Sequence, residues 1–247
     1  MTVAADWEDK TPDISIWSMQ TIKSSTPRPT IIIGHGCDGL KKSIIDWGRE
    51  FGNWGYNLVY YDSFSNKGYG SGVCKNAAEA LQVPPEYRAR EAQELAKWIK
   101  QQPWHIGKIA YIGLSHGGAT ALRIGMIEKE VNEISASVSM YPWCGNWHGG
   151  GYTGPLGLQK LDKETNIWGW KTYIPTQIHL AGSDDWTPPG LCAEMIGAEQ
   201  FTYINTTHAF DMDYPDRVMV GYRLKYDRNA HKLSRERIRK FLQEKLS

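Results

Sequence analysis

From about residue 29 onward, short β-rich segments alternate with segments of helical periodicity. The first β-rich segment, Thr30–Ile33, is an uninterrupted β-branched run that ends at Gly34, as expected of a strand buried on both faces. Apolar residues then recur at helical spacing over residues 44–54, before the next apolar run at 58–61. This alternation predicts an α/β fold in which helices cover both faces of a mainly parallel central sheet.

The alternation continues to the C-terminus, which favours a single domain over residues 1–247. Further strands are predicted at Ile109–Leu114, Ile134–Tyr141, Ile178–Ala181 and Phe201–Ile204, and further helices at 85–103, 119–128 and around Ile238–Leu242. Residues 1–28 are expected to form an N-terminal extension with edge strands. The Gly- and Trp-rich residues 142–174 are expected to form an excursion over the carboxyl edge of the sheet.

The charge balance excludes whole classes of partner. With 28 Lys and Arg against 27 Asp and Glu, the net charge of +1 creates no field that would attract nucleic acid or an anionic membrane. No apolar stretch approaches the roughly 20 residues that span a bilayer. Acidic residues within the first 15 positions do not fit a secretory signal, so a cytoplasmic location is expected. The oligomeric state cannot be read from the sequence.

The four cysteines are spread along the chain without a C-x-x-C pair, so a metal site is not expected. Cys37 and Cys74 follow neighbouring strands, and Cys144 and Cys192 follow strand-end segments of the later half. Either pair could meet at the carboxyl edge of the sheet. Because no secretory signal is recognised, we predict reduced thiols, with disulfides as the alternative for an exported protein.

A candidate nucleophile lies in the sequence GLSHG at residues 113–117, which matches the G-x-S-x-G nucleophile elbow. In that motif, small residues let a serine sit on a sharp turn between a strand and a helix. A predicted strand precedes the motif and a helical segment follows it, whereas a Walker phosphate-binding loop would need G-K-[ST]. We therefore predict Ser115 as the nucleophile, with an ordinary Gly-rich turn as the alternative.

A serine nucleophile needs a histidine base and an acid that orients the histidine. In this architecture the chain order is Ser, then Asp or Glu, then His. His179 falls inside a predicted strand, and His231 lies among charged residues of the last helix. His208 directly follows the predicted strand 201–204, at the carboxyl edge of the sheet, and is therefore the predicted base.

The acid is predicted just after the strand 178–181, where Asp184 and Asp185 follow. Open α/β sheets build their sites at the carboxyl ends of their strands. An Asp pair before Pro188 is also typical of an ordinary turn or helix start. Spacing alone leaves both residues open as the partner of His208.

A second glycine-rich string, GHGCDG at residues 34–39, follows the first predicted strand. Its glycines would let a substrate approach the backbone closely. We predict that the main-chain N–H groups of Cys37 and His116 form an oxyanion hole. The string also fits a dinucleotide-binding loop, but that interpretation leaves the later serine, acid and histidine unexplained. No cofactor is therefore expected.

Aromatic residues near the predicted strand ends are candidates for a substrate pocket. His35, Trp143, Trp147 and Trp186 could wall an apolar pocket for a small or aromatic group of a substrate. The alternative is that the tryptophans pack the 142–174 excursion onto the sheet.

Together these strings resemble the dienelactone hydrolase family of α/β hydrolases, from about residue 29 to the end. The matching sequences are HGC at 35–37, DSF at 62–64, GLSHGG at 113–118, YPWC at 141–144, DDWTP at 184–188 and HAFD at 208–211. The resemblance implies an α/β-hydrolase fold and a triad in which Asp184 is the acid, with Asp185 capping the turn into Pro188. The namesake enzymes carry cysteine where this chain has Ser115, so a serine branch that hydrolyses other esters is implied.

The leading prediction is a serine hydrolase that cleaves a carboxylic ester or lactone of a small substrate through an acyl-enzyme. Peptidase or acyltransferase activity on the same three residues is one alternative. A non-catalytic binding module with the same fold is the other, because fold does not dictate function.

Overall fold

A computed structural model of the chain describes residues 2–4, 13–18, 26–75, 77–144, 161–162, 167–168, 170–192 and 195–247. The strands are β1 (Thr2–Ala4), β2 (Asp13–Ser18), β3 (Arg28–Gly34), β4 (Asn57–Asp62), β5 (His105–Leu114), β6 (Ala136–Met140), β7 (Leu161–Asp162), β8 (Ile167–Trp168), β9 (Trp170–Lys171), β10 (Thr176–Ala181), β11 (Met195–Ile196), β12 (Glu199–Tyr203), β13 (Arg217–Met219) and β14 (Tyr222–Leu224). The α-helices are α1 (Lys42–Asn53), α2 (Ala77–Gln82), α3 (Pro85–Lys100), α4 (His116–Gly125) and α5 (Arg228–Leu246), with short 3-10 helices at Ser65–Lys67 and Pro189–Cys192. Most of the predicted 142–174 excursion lies outside the described residues.

The central sheet has eight strands in the order β1-β2-β4-β3-β5-β6-β10-β12. The six strands from β4 to β12 run parallel, which confirms the predicted mainly parallel sheet. β1 and β2 pair antiparallel at the edge beside β4. Because the six strands are parallel, their carboxyl ends all meet at one edge, where loops from distant parts of the chain converge.

Helices cover both faces of the sheet, as predicted. Along β3, Ile31 and Ile33 pack into the cluster that contains α1 and α5, whereas Ile32 packs into the cluster that contains α3 and α4. The β-branched run is therefore buried from both sides. Among the described residues, every helix is too short or too polar to span a bilayer.

Several elements differ from the sequence prediction, and helix α4 and the hairpin β13–β14 are the two that bear on the site. Helix α4 ends at Gly125 rather than at residue 128, because Asn132 donates to the carbonyl of Ile124 and the Tyr173 N–H to that of Gly125. The hairpin β13–β14 was not predicted. Its turn places Val220 and Gly221 at φ 53° and 90°, the left-handed pair that a two-residue hairpin turn of type I′ requires.

Candidate active site

Ser115 lies on the sharp turn between β5 and α4, with φ 54° and ψ −112°. Few residues other than glycine adopt this backbone conformation, so the packing around the turn must hold it in place. A Cβ at Gly113 would lie 1.8 Å from the carbonyl oxygen of Gly117, and a Cβ at Gly117 would lie 2.3 Å from that of Gly34. Both glycines of the motif are therefore required by contacts between backbones.

The structure brings the three predicted residues Ser115, His208 and Asp184 into one chain of hydrogen bonds. The Ser115 hydroxyl oxygen lies 2.9 Å from His208 Nε2, and His208 Nδ1 lies 2.7 Å from Asp184 Oδ2. His208 and Asp184 are buried, and Ser115 is half-buried. An imidazole held between a carboxylate and a hydroxyl can accept the hydroxyl proton while the carboxylate stabilises the imidazolium.

Four donors surround the Asp184 carboxylate. His208 Nδ1 and the Thr187 hydroxyl donate to Oδ2, and the main-chain N–H groups of Trp186 and Thr187 donate to Oδ1 at 3.0 and 2.8 Å. Burial alone would raise the pKa of Asp184, but the hydrogen bonds and charge of His208 and the donors of Thr187 lower it below its usual value. The carboxylate is therefore ionised and oriented.

Asp185 is exposed, and Asp184 rather than its neighbour faces His208. The prediction that Asp185 caps the following turn needs correction. The main-chain donors of that turn, Trp186 and Thr187, bind Asp184, because only the first carboxylate points back over the turn. One side chain thus both closes the turn and binds the histidine.

The His208 ring lies between two aromatic side chains. Tyr141 meets it edge-on, with ring centroids 4.8 Å apart, and Trp186 lies tilted against it at 5.0 Å. Trp186 in turn stacks on Tyr222 of the hairpin at 5.2 Å. These contacts hold the His208 ring in the orientation in which its Nε2 reaches Ser115.

The residues predicted to supply the oxyanion hole lie on both sides of Ser115. His116 is the first residue of α4, so its main-chain N–H has no acceptor within the helix. Residues 36–39 form a turn closed by a hydrogen bond of 3.2 Å from the Gly39 N–H to the Gly36 carbonyl. A Cβ at Gly36 would lie 3.6 Å from the Cβ of Ser115, so the turn that contains Cys37 packs directly beside the serine.

A cleft opens above these residues. Its walls include the turn 36–38, Cys74, Tyr141, Trp186 and His208, and three hairpin residues, Arg217, Met219 and Leu224. Of the four aromatic residues predicted to wall a pocket, Trp186 lines this cleft. Trp143 is half-buried and is not among the lining residues in the described part of the chain, and Trp147 lies outside the described residues.

His35 does not line the cleft, which corrects the prediction. It is fully buried, with Nδ1 donating to the Gly36 carbonyl at 2.8 Å and Nε2 accepting from the Ser63 N–H at 3.1 Å. Burial, and then the nearby Arg88 guanidinium, hold the pKa of His35 well below its usual value. The His35 ring is therefore neutral. Because both ring nitrogens bind main-chain groups inside the protein, the ring supports the loop after β3 and does not face the cleft.

Arg88 of α3 is a buried residue that sequence analysis missed. Its guanidinium donates to His116 Nδ1 at 2.8 Å, to the His35 carbonyl at 3.0 Å and to the Ser63 hydroxyl at 3.1 Å. It therefore joins the elbow to the loops after β3 and β4. A signal was present, because Arg88 shares the helical face of the apolar residues Ala92 and Leu95.

Sequence analysis also missed the contribution of the hairpin and of Asp38 to the cleft. Burial raises the pKa of Asp38, although its own main-chain N–H and the charges of Lys41 and Arg217 lower it. Asp38 belongs to the predicted oxyanion string, so the motif held a signal for its position that sequence analysis did not use. Nothing in the sequence around Arg217 distinguished it from a surface residue.

Both cysteine pairs form disulfides, Cys37–Cys74 and Cys144–Cys192, so the expectation of reduced thiols is wrong. The fold brings the Cα atoms to 4.9 and 5.3 Å, within the range that a disulfide spans. The cytoplasmic location stays a prediction. The described residues contain no cluster of three or more His, Cys, Asp or Glu side chains that could hold a metal ion.

Comparisons with known proteins agree with this architecture. The model of a protein family described as X-Pro dipeptidyl-peptidase (S15 family) matches residues 5–187. No curated protein matches the chain.

Similar solved structures include a protein provisionally named dienelactone hydrolase from Klebsiella pneumoniae subsp. pneumoniae MGH 78578, with a TM-score of 0.67, 16% identity and coverage of 99% of this chain and 98% of that chain. Est1E from Butyrivibrio proteoclasticus, with bound ferulic acid, has a TM-score of 0.63 at 17% identity, covering 99% and 98% of the two chains. The dienelactone hydrolase-like promiscuous phosphotriesterase P91 from metagenomic libraries has a TM-score of 0.61 at 16% identity, covering 92% and 90%. At these identities the likeness shows the α/β-hydrolase fold, as the resemblance to the dienelactone hydrolase family implied.

Proposed function

The chain belongs to the X-Pro dipeptidyl-peptidase (S15) family, whose model matches residues 5–187. We propose that it is a serine hydrolase, and that its substrate is a carboxylic ester or lactone of a small molecule. The observation that carries the proposal is the chain of hydrogen bonds from Ser115 through His208 to Asp184, with distances of 2.9 and 2.7 Å. A non-catalytic module would have no need of a serine on a strained turn against a buried, carboxylate-bound imidazole.

Acylation begins when the Ser115 hydroxyl oxygen attacks the substrate carbonyl carbon and His208 Nε2 takes its proton. The ionised Asp184 stabilises the resulting imidazolium through Nδ1 and keeps the ring in the tautomer that leaves Nε2 free to accept. The carbonyl oxygen gains negative charge at this step. The main-chain N–H groups of Cys37 and His116 would donate to it.

The tetrahedral intermediate then collapses, His208 returns the proton to the leaving alkoxide, and the acyl group stays on Ser115. Water attacks this acyl-enzyme in the second half of the reaction, with His208 again as the base. For a lactone, the leaving hydroxyl remains attached to the acyl group, so the product is one hydroxy acid.

The walls of the cleft support a small substrate with an apolar part. Trp186, Met219 and Leu224 present aromatic and aliphatic side chains, and Asp38 and Arg217 add one charge of each sign. An apolar wall with a few polar groups is typical of small-molecule sites.

A peptidase is the second candidate, and the family match over residues 5–187 favours it. The same three residues could attack an amide, with His208 protonating the leaving amine. The two candidates differ in the leaving group, so kcat/KM for short p-nitrophenyl esters and for Xaa-Pro p-nitroanilides distinguishes them. Because an activated ester is the more reactive substrate for either kind of enzyme, the anilide decides: we expect no measurable release of p-nitroaniline, and efficient cleavage of the Xaa-Pro anilide would favour the peptidase.

The proposal is tested with Ser115→Ala and His208→Ala on a short-chain p-nitrophenyl ester. Each variant is expected to keep its circular dichroism spectrum and to lower kcat by roughly 10⁴–10⁶, because triad members act as a unit. A folded Ser115→Ala variant with near-normal turnover would end the proposal.

A further inference from the structure

The structure assigns a catalytic positioning role to the Cys37–Cys74 disulfide: it clamps the turn 36–39 so that the Cys37 N–H points at the oxyanion. This inference rests on the proposed serine hydrolase function. The turn lies between two parts of the chain, with Ser115 on one side and residues 72–74 on the other.

The backbone of segment 72–74 packs directly against the backbone of the turn 36–39. The Val73 N–H donates to the Cys37 carbonyl at 2.7 Å. A Cβ at Gly72 would lie 2.5 Å from that same carbonyl oxygen and 2.8 Å from the Cα of Asp38. Gly72 also has φ +87°, so its left-handed conformation lets the two backbones meet. The disulfide adds a covalent bond at this contact.

The segment that contains Cys74 is itself held in place, so the Cys37–Cys74 disulfide restrains the turn 36–39 against a fixed part of the protein. Where the loop that leads to this segment leaves β4, the Asp62 carboxylate accepts from the Phe64 N–H at 2.8 Å and from the Ser65 N–H at 3.1 Å. Phe64 and Val73 belong to a buried cluster against which Cys37 packs. A disulfide to a mobile loop would restrain little, whereas this one ties the turn to a packed segment.

The opposite end of the turn is held by weaker means. His35 donates to the Gly36 carbonyl at 2.8 Å, and Arg88 donates to the His35 carbonyl at 3.0 Å. The Gly36 carbonyl and the Cys37 N–H belong to one planar peptide, so these bonds restrain that peptide at its Gly36 end, and the disulfide restrains it at its Cys37 end. An oxyanion donor must be positioned within tenths of an ångström before the reaction begins, because reorganisation during catalysis costs rate.

The second disulfide provides a matched control within the same chain. Cys144 and Cys192 are 3% and 2% exposed and pack with Leu122, Ile178 and Leu180 in a buried cluster. Neither residue lines the cleft above Ser115. Its loss should reduce stability without moving an oxyanion donor.

The test compares the wild-type chain with two double variants, Cys37→Ala/Cys74→Ala and Cys144→Ala/Cys192→Ala, on the same p-nitrophenyl ester. Alanine keeps the main-chain N–H at position 37, so any loss reports its position rather than its removal. We expect kcat of the first variant to fall about 10- to 100-fold, with KM changed less than about threefold. This fall in kcat is smaller than the roughly 10²–10³-fold loss caused by removing an oxyanion donor altogether. The control should keep kcat within about threefold, although both variants lose thermal stability.

Reduction of the folded wild-type chain provides a second measurement that does not depend on the variants folding. Cys37 and Cys74 are partly exposed, so dithiothreitol should open their bond first, forming two thiols while the reagent becomes a cyclic disulfide. Alkylation of a parallel sample would identify which thiols are free. We expect kcat to fall with the release of Cys37 and Cys74 and to recover on reoxidation.

Full kcat with Cys37 and Cys74 reduced, or a clamp variant as active as the control, would overturn the positioning role and leave the proposed function standing. A wild-type chain without hydrolase activity, and without covalent labelling of Ser115, would overturn the proposed function and this inference together.

Discussion

The two sides of the candidate site are held in place by different means. On the nucleophile side, the backbones of β3, β5 and α4 approach so closely that a Cβ at Gly113 or Gly117 would overlap a carbonyl group. On the acid and base side, Asp184 and His208 stand on loops after β10 and β12, and hydrogen bonds between side chains and to the Thr187 main chain hold them. Steric fit dominates on the nucleophile side, whereas polar contacts, together with the rings of Tyr141 and Trp186, dominate on the other.

The difference determines how each side should respond to substitution. A steric fit admits no added atom, so a change at a glycine of the elbow should disturb folding and activity together. A hydrogen bond can be removed by an isosteric change that leaves the packing intact, so a change at Asp184 should reduce activity with little effect on the fold.

The polar side is tested most strongly by Asp184→Asn, with Asp185→Asn as the matched control. The amide keeps the shape of the side chain but no longer stabilises the productive tautomer of His208, so kcat should fall by up to ~10⁴. Asp185 is exposed, and its substitution should cost less than about tenfold. Steady-state kinetics on one ester measures both, and a larger loss at Asp185 would contradict the assignment of the acid.

The steric side is tested by Gly117→Ala, with Gly48→Ala as the control in another helix. At Gly117 the new Cβ would meet the Gly34 carbonyl oxygen at 2.3 Å, so unfolding free energy should fall by about 1–3 kcal/mol, with activity lost as well. At Gly48 the nearest atoms lie 3.6–3.9 Å away, and alanine should stabilise the helix by up to about 1 kcal/mol. Urea unfolding of both variants checks this, and equal stabilities would show that the elbow has room.

A smaller effect concerns His179 of β10, which accepts from the Tyr203 hydroxyl of β12 at 2.7 Å and so links the strands that carry the acid and the base. Burial, and then Arg237, lower the pKa of His179 to about 3. In the unfolded chain the pKa of His179 is near its ordinary value of about 6.5. Between the two pKa values, the unfolded chain therefore binds a proton that the folded chain does not bind. The contribution of neutral His179 to the unfolding free energy is therefore complete above about pH 6.5 and is lost as the pH falls toward 3.

The prediction is a difference in slope between the wild-type chain and His179→Gln. Between pH 6 and 4, the unfolding free energy of the wild type should fall more steeply, by about 1.4 kcal/mol per pH unit. Between pH 7.5 and 8.5 the two slopes should agree, which controls for all other groups. Parallel curves over the acid range would show that folding does not lower the pKa of His179.

The sheet and the hydrogen-bonded set of Ser115, His208 and Asp184 could be predicted because they depend on local patterns. A buried parallel strand needs a β-branched run, and an elbow needs glycines at fixed spacing, so both leave a mark in the sequence. The chain order of the triad then left few candidates for Asp184 and His208. Each of these signals lies in one short segment, and the parallel sheet then brings the segments together at one edge.

The remaining features depend on contacts between distant segments. Cys37 and Cys74 were recognised as a pair that could meet, but reduced thiols were predicted because no secretory signal was recognised, and the sequence does not show how closely the loop after β4 packs on the turn after β3. His35 was placed in the pocket because it follows a strand, but its ring points into the protein, where Nε2 accepts from the Ser63 N–H. Arg88 binds the main-chain carbonyl of the same residue. The hairpin 217–224 was missed because its strands have only three residues each, too few for a clear alternation.

The central claim is that His208 activates Ser115 as a nucleophile, and a fluorophosphonate probe tests it most directly. The serine oxygen would attack phosphorus, fluoride would leave, and the proton would pass to His208 Nε2, 2.9 Å away. The account predicts one label on the folded chain, located on Ser115 by peptide mass spectrometry, with slow labelling of His208→Ala and none after unfolding in urea. A folded wild-type chain that stays unlabelled at Ser115 would contradict it.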